Sequence, residues 1–371
     1  MPITDLKCYP LRAPIAEGQA TSQEAWTQVT ILLVRLETDD GIVGWGEAYA
    51  RYSPQVYQEL IEQLIRPIVI GADPFAVEAI WERMFRIFTG RSGGVLLEAL
   101  SAIDIALWDI IGKSVGQPLY KIFGHNGLER LDAYGAAIGW TDDATAKMQA
   151  EQCLEWGFRQ IKVRLGPPID KAAKRAAFIR DIVGPDIRLM ADSNRMLKLD
   201  DAVALSKKLA DLDYAWFEEP IAVDDVEGYR ILAQKCPIRI AAGESEYTST
   251  GIAPLLASRS IGTVQPDVTR AGGITETRKI VALSRAYHIG YAPHVGFSGA
   301  ICAAASLHLA ATATNFDAYE CMIFASPLRD TITTKPVASR ESLVDGYLAL
   351  PEGPGLGVEI DENALEQFLI R

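Results

Sequence analysis

Residues 187–194 read IRLMADSN, residues 215–220 read AWFEEP and residues 238–245 read IRIAAGES. Each is an apolar run too short for a helix, and each carries a carboxylate at or near its end. Five more runs have the same character: LDAYGAAIG from 131, QIKVRLG from 160, TVQPDV from 263, IGYAPH from 289 and FDAYECM from 316. Successive runs begin 23 to 29 residues apart. That interval holds one strand of about five residues, one helix of about 10 to 12 that matches it in length, and two short loops. Strands alternating with amphipathic helices at a steady period require a parallel sheet with crossover helices, and eight such units close a (β/α) barrel. The alternative, a doubly wound open sheet, lacks the Gly-rich phosphate loop after its first strand.

Upstream of residue 130 the pattern is α+β. Residues 3–11 and 27–37 have strand composition, and the TDDG turn at 38–41 leading into GIVGWGEA signals a hairpin. Helices are expected at roughly 54–69, 74–90 and 94–113, the last apolar almost all round and therefore buried. After residue 322 a Gly/Pro-rich LPEGPGLGVEID and a short helical ENALEQFLI read as a tail that packs back on the N-terminal part. The expected organisation is thus residues 1–125 as an α+β unit, 126–325 as the barrel and 326–371 as the returning segment.

A chain of 371 residues with 49% hydrophobic and 23% charged residues has a globular composition. Its formal charge of -12 argues against binding nucleic acid or an anionic membrane, which needs a positive face. A small substrate is the simpler expectation, and an anionic one requires local positive charge. The five cysteines, Cys8, Cys153, Cys236, Cys302 and Cys321, show no framework spacing and fit reduced thiols. The opening MPITDLKCYPLR has no apolar core of a signal peptide, and no apolar run approaches a membrane span, so a cytoplasmic location is expected.

In a barrel the polar residues at strand C-terminal ends face the active site. Those ends carry Lys162 and Arg164, Asp192 and Asn194, Glu218 and Glu219, Glu244, Asp267, His294 and Glu320. Asp192, Glu218 and Glu244 are each 26 residues apart, one barrel unit. Three converging carboxylates repel unless a cation neutralises them, and hard oxygen ligands select Mg²⁺ over Zn²⁺. Asp267 and His294 end consecutive strands, where a carboxylate can orient an imidazole and raise its basicity. Glu320 can donate a hydrogen bond to a developing oxyanion if its neighbours keep it protonated; a salt-bridged structural role is the alternative.

With IKVRLG, ADSN, WFEEP, AGES, QPDVTRAGG, APH and AYE in this order and spacing, the chain resembles the enolase superfamily, mandelate racemase type, over its whole length. The resemblance implies a modified TIM barrel, (β/α)7β, with an N-terminal α+β capping domain. It implies Asp192, Glu218 and Glu244 as Mg²⁺ ligands, with Glu219 beside them, Asp267 and His294 as a base dyad and Glu320 as the electrophilic partner. It also implies that Lys162 contacts the reacting carboxylate, that Asn194 lies beside the substrate, and that the protein is a homo-oligomer, dimer or octamer. Substrate choice falls to cap loops at 15–27 and 48–53, with Gln23, Arg51 and Tyr52 as candidate contacts and Arg91 as a further one.

One position departs from the pattern. Racemases of this type carry Lys-x-Lys, whereas this chain has Lys162-Val163-Arg164. A guanidinium is effectively always protonated and is a poor base, so Arg164 is expected to act as fixed charge or as a bidentate anchor. A two-base racemase needs a base on each face of the α-carbon; an elimination needs one. The expected reaction is therefore Mg²⁺-dependent loss of water from a sugar acid, an aldonate or aldarate, with His294 as base. Cycloisomerisation of a sugar lactone or anhydro-sugar acid and racemisation of a 2-hydroxy acid are the alternatives within the superfamily. A non-catalytic barrel that binds a metal or an acid is the alternative outside it.

Overall fold

The computed structural model describes residues 1–87 and 93–370. Arg91 lies outside the described residues.

The N-terminal part is a three-stranded antiparallel sheet in the order β1 (Ile3–Ala20), β2 (Ala25–Thr38), β3 (Val43–Ala48), followed by helices. The turn between β2 and β3 closes through Gly41, whose φ of 81° suits glycine. β1 runs far beyond the expected 3–11: it pairs with β2 to Pro14 and, after a register shift, again at Gln19 and Ala20 opposite Trp26 and Ala25. The segment 15–27 is thus the tip of a long hairpin rather than a free loop. The expected helix at 54–69 is Pro54–Leu60, a π turn at Ile61–Ile65 and Arg66–Val69. The helix expected at 74–90 leaves its α-helical stretch at Phe85.

All eight barrel strands are present: β4 (Arg130–Ile138), β5 (Gln160–Arg164), β6 (Arg188–Asp192), β7 (Tyr214–Glu218), β8 (Arg239–Ala242), β9 (Thr263–Val264), β10 (Gly290–Tyr291) and β11 (Tyr319–Met322). They pair in parallel from β4 to β10, and β11 pairs with β4. The parallel bridge Tyr291↔Phe316 joins the last two and closes the ring. Seven helices alternate with the eight strands, from Asp143–Glu155 to Ala300–Ala310. The architecture is (β/α)7β with a capping α+β layer.

The tail behaves as its composition suggests. β12 (Leu343–Val344) and β13 (Tyr347–Ala349) form a hairpin, and β13 adds to the start of β4. The bridge Leu11↔Leu369 then returns the chain to the cap.

Cap and barrel are joined by buried polar contacts. Gly299 and Cys302, at the start of the helix Ala300–Ala310, donate backbone N–H groups to Glu47 at 2.7 and 3.0 Å. Thr275, at the start of the helix Gly273–Ala286, donates its N–H to Asp104 at 2.9 Å. Both carboxylates thereby answer the unpaired donors and positive end of a helix N-terminus. Within the cap, β3 lies directly on the buried helix Val95–Ser114. Glycine permits this: a Cβ at Gly46 would fall on the carbonyl oxygen of Ala102, and one at Gly44 on that of Ala106.

Gly46→Ala is therefore expected to lower unfolding stability by about 1–3 kcal/mol or more, the cost of overpacking a close backbone contact. Urea titration of the variant beside the wild type measures this, and an unchanged midpoint would contradict the close-approach reading.

Candidate active site

The C-terminal ends of the strands open into a cavity of about 280 Å³ roofed by the cap. Lys162, Arg164, Asp192, Glu244 and His294 line it from the barrel, while Trp26 and Arg51 line it from the cap. Period-two alternation places Lys162 and Arg164 on one face of β5. Parallel register sets Asp192 directly beside Glu218 on β6 and β7. Glu244 follows two residues after β8.

Lys162 is the hub. It is 1% exposed, and its ammonium donates to Glu218 at 2.6 Å and Glu320 at 2.8 Å, with Asp192 at 3.9 Å. Burial alone would depress its pKa, but Glu218 and Glu320 outweigh it and hold the value well above the ordinary one. Burial also pushes Glu218 up to about 7, against the pull of Lys162. Gln265 donates to its other oxygen at 2.7 Å.

Arg195 answers the next carboxylates, donating to Glu219 at 2.6 Å and Glu244 at 3.0 Å. Burial opposes ionisation of Glu244, yet His294, Arg195 and Lys162 keep its pKa below the usual carboxylate range. Asn194, Arg195, Glu219 and Phe297 all have positive φ, 44°, 67°, 34° and 56°. Such left-handed residues cost free energy and gather where surrounding contacts over-determine the backbone, as at functional sites.

His294 Nδ1 lies 2.8 Å from Asp267 Oδ2. Thr269 donates its N–H and hydroxyl to the other Asp267 oxygen at 2.8 and 2.6 Å, fixing the carboxylate. The His294 Nε2 is left toward the cavity, 3.3 Å from Glu244. Burial lowers the imidazole pKa, but Glu244, Glu320 and the Asp267 hydrogen bond raise it to about 9.

The other expected residues have defined partners. Glu320 accepts from Lys162, and Val295 and Gly296 donate N–H groups to its second oxygen at 2.6 and 3.0 Å, the pattern of the salt-bridged alternative. Lys162, His294 and the Val295 N–H outweigh burial and bring its pKa down to about 2. Asn194 gives its amide to Asp192 at 3.0 Å and accepts from the backbone of Ser22 at 3.2 Å, bracing the hairpin tip against β6. Gln23 donates to the Asn194 carbonyl at 2.6 Å and acts as a strut. Tyr52 donates to Glu24 and is 69% exposed, at the rim. Asn194, Gln23, Tyr52, Arg51 and Arg164 all line the cavity.

Residues that the strand-end rule passed over also line it: Tyr49, Glu98, Arg195 and Arg270. Glu98 had a signal, since an acid in an otherwise apolar helix must find partners once buried. Tyr57 and Tyr247 supply them. Arg195 and Arg270 sit within or next to the ADSN and QPDVTRAGG stretches, but they lie beyond the strands and nothing in their spacing places them at the cavity.

Asp192, Glu218 and Glu244 form an all-oxygen donor set on adjacent strands, which fits a hard divalent cation such as Mg²⁺. Among the described residues no three carboxylate, imidazole or thiol groups are already gathered around one point. Lys162 and Arg195 bridge the carboxylates instead.

Comparison with known proteins agrees with this geometry. Residues 5–124 match the mandelate racemase / muconate lactonizing enzyme N-terminal domain, and residues 145–364 match the enolase C-terminal domain-like family. The chain is 31% identical to a D-galactarolactone cycloisomerase of Agrobacterium fabrum, over 91% of this chain and 90% of that one. It is 30% identical to an arabinonate dehydratase of Saccharolobus solfataricus, over 91% and 90%. The crystal structure of a racemase from Streptomyces coelicolor A3(2) with bound magnesium superposes with a TM-score of 0.90 at 28% identity, covering 99% of this chain and 100% of that one. No helix among the described residues is long and apolar enough to cross a membrane.

Replacing Lys162 by Met leaves Glu218, Glu320 and Asp192 buried without their common cation. Removing one partner of a buried ion pair costs about 3–5 kcal/mol, and a loss of that order is expected for Lys162→Met in urea unfolding at pH 7 without divalent ions. A loss under about 1 kcal/mol would show that the ammonium is not the hub.

Proposed function

The chain belongs to the mandelate racemase/muconate lactonizing enzyme family of the enolase superfamily, and from that premise we propose that it dehydrates a sugar acid after removing the proton next to its carboxylate. The observation that carries the reading is asymmetry: one wall of the cavity holds the His294–Asp267 dyad, and β5 offers Arg164 where a second base would stand.

Asp192, Glu218 and Glu244 would hold Mg²⁺, which when bound supplies Lewis-acid stabilisation of negative charge on the substrate carboxylate. Lys162 adds a buried fixed charge at that end of the cavity. Asp267 presents His294 with Nδ1 engaged and Nε2 toward the cavity, and in its neutral form the imidazole accepts the α-proton there. The electron pair left on the α-carbon expels the β-hydroxyl, and the imidazolium returns its proton to that oxygen. One water leaves, the histidine is neutral again, and the enol product tautomerises to a 2-keto acid. Arg164, always charged, orients a substrate oxygen. The protein is proposed to work in the cytoplasm, supported by its free cysteines, and as a homo-oligomer, dimer or octamer, supported by family resemblance.

A second reading is favoured by the D-galactarolactone cycloisomerase relative. Cycloisomerisation uses the same single base, but the departing oxygen stays attached to the molecule and no water is released. The mass of the product separates the two.

A library of mono- and diacid sugars incubated with Mg²⁺ is expected to yield a 2-keto product, abolished by EDTA and restored by Mg²⁺. On the substrate so found, Asp267→Asn should lower kcat by about 10²–10⁴-fold with an unchanged circular dichroism spectrum. In deuterated solvent the wild type should exchange or eliminate without interconverting α-epimers, and Arg164→Lys should begin to interconvert them. Efficient epimerisation by the wild type would refute the one-base reading.

A further inference from the structure

The cavity holds many cations and few neutral donors. Its arginines keep their protons, and Lys162 is committed to Glu218 and Glu320. Most of the neutral lining groups are engaged as well. Thr21 donates to the Glu24 carbonyl, Tyr52 to the Glu24 carboxylate, Tyr57 to Glu98, Gln23 to the Asn194 carbonyl and Asn194 to Asp192. The Trp26 indole N–H is buried. Tyr49 differs from all of these. It lines the cavity and is half-buried, and its hydroxyl has no partner among the described residues without being sealed inside the protein.

Everything else about Tyr49 is held. Its N–H donates to the Thr269 carbonyl at 3.3 Å, and its carbonyl accepts from the Tyr57 hydroxyl at 3.3 Å. Thr269 is the residue that clamps Asp267, so the phenol and the dyad share one anchor. Two guanidiniums lie over the Tyr49 ring, Arg51 at 4.1 Å and Arg270 at 5.1 Å from its centroid. Arg270 is itself fixed, 3.5 Å from Glu98 and donating to the Tyr247 hydroxyl at 2.8 Å. A ring held in this way presents its hydroxyl without further ordering when a ligand arrives.

Its neighbour across the cavity is His294, 6.5 Å away between ring centroids, a separation that two hydrogen bonds of about 2.8 Å to one shared oxygen can bridge. In the elimination the oxygen leaving the β-carbon must come to the same imidazole that took the α-proton. Negative charge develops on that oxygen as the C–O bond breaks, and a preorganised donor stabilises it there. Burial holds the Tyr49 phenol above its ordinary pKa, so it stays protonated, while Arg51 and Arg270 pull the other way and strengthen it as a donor.

We infer that Tyr49 is a catalytic residue of the elimination step, its hydroxyl donating a hydrogen bond to the oxygen that departs from the β-carbon beside His294. The phenol keeps its proton throughout. The electron pair of the breaking C–O bond goes to the oxygen, and the proton that completes the water is the one His294 removed from the α-carbon. The inference rests on the dehydratase reading above and adds to it the group that receives the leaving oxygen.

Tyr49→Phe tests it in deuterated water with Mg²⁺, on whichever of D-gluconate, D-galactonate, D-arabinonate and galactarate the wild type turns over. Two signals are followed: the 2-keto product for elimination, and deuterium in recovered substrate for α-proton removal. Loss of an oxyanion donor costs about 10²–10³-fold, so elimination should fall by about 10²-fold while deuterium enters substrate at no less than about a third of the wild-type rate. A residue that only braced the fold would slow both together. Elimination within about threefold of wild type, or an equal loss of the two signals, would overturn the inference and leave the dehydratase reading standing. Should the circular dichroism of Tyr49→Phe show that it does not fold, a fluorotyrosine incorporated at position 49 carries the test. Its more acidic phenol is a stronger donor and should raise the ratio of elimination to exchange; an unchanged or lower ratio would overturn the inference. A wild type that neither exchanges nor eliminates any of the four acids would sink the dehydratase reading, and this inference with it.

Discussion

Buried negative charge is the constraint that organises the barrel mouth. Two like charges 4 Å apart repel by about 4 kcal/mol at an effective dielectric of 20, and Asp192, Glu218, Glu219, Glu244 and Glu320 are all buried at neighbouring strand ends. They are tolerated together because cations reach in among them. Lys162 answers the β6–β7–β11 side, Arg195 the β7–β8 side, and His294 stands between Glu244 and Asp267. The same pairing fixes which groups carry protons.

The cap follows a related rule. Glu47 and Asp104 are both pushed up to about 7 by burial, with backbone and hydroxyl donors at helix N-termini acting against it. Their strength as docking groups comes from those donors, since a buried carboxylate without partners is far more costly than one that caps a helix. Rigid docking lets a thin hairpin tip serve as a wall of the site. Ser22 and Gln23 lean on Asn194, whose amide in turn holds Asp192, so the cap reaches the candidate metal ligands through three residues.

The parts of the fold that were legible in the sequence are those with a period. Eight apolar runs at one spacing specify eight strands, and because each strand end points the same way, the same count nominates Lys162, Asp192, Glu218, Asp267, His294 and Glu320. Glu244 is reached by that rule even though β8 ends at Ala242 and the chain turns through Gly243, whose φ is 125°, before it. What was not legible has no local signal. Arg195 and Arg270 lie in turns beyond the strands, and the left-handed φ of Asn194 and Arg195 that directs them is imposed by tertiary contacts rather than by glycine. β1 continues past the expected 3–11 through Pro14, a residue that an edge strand tolerates, and β1 lies at the edge of its sheet.

Glu320 shows how far a protonation state depends on donors that sequence does not reveal. A buried acid beside other acids is expected to be neutral unless donors reach it, and the sequence left both a donor role and a salt-bridged one open. Three donors favour the second: the Lys162 ammonium and the N–H groups of Val295 and Gly296. Those two N–H groups belong to the residues immediately after His294. One carboxylate thus fixes the ammonium at the reacting end of the cavity and the chain that carries the candidate base. Gly296 also offers its carbonyl to Arg51, so the contacts of one carboxylate tie together the ammonium, the turn after His294 and the cap arginine.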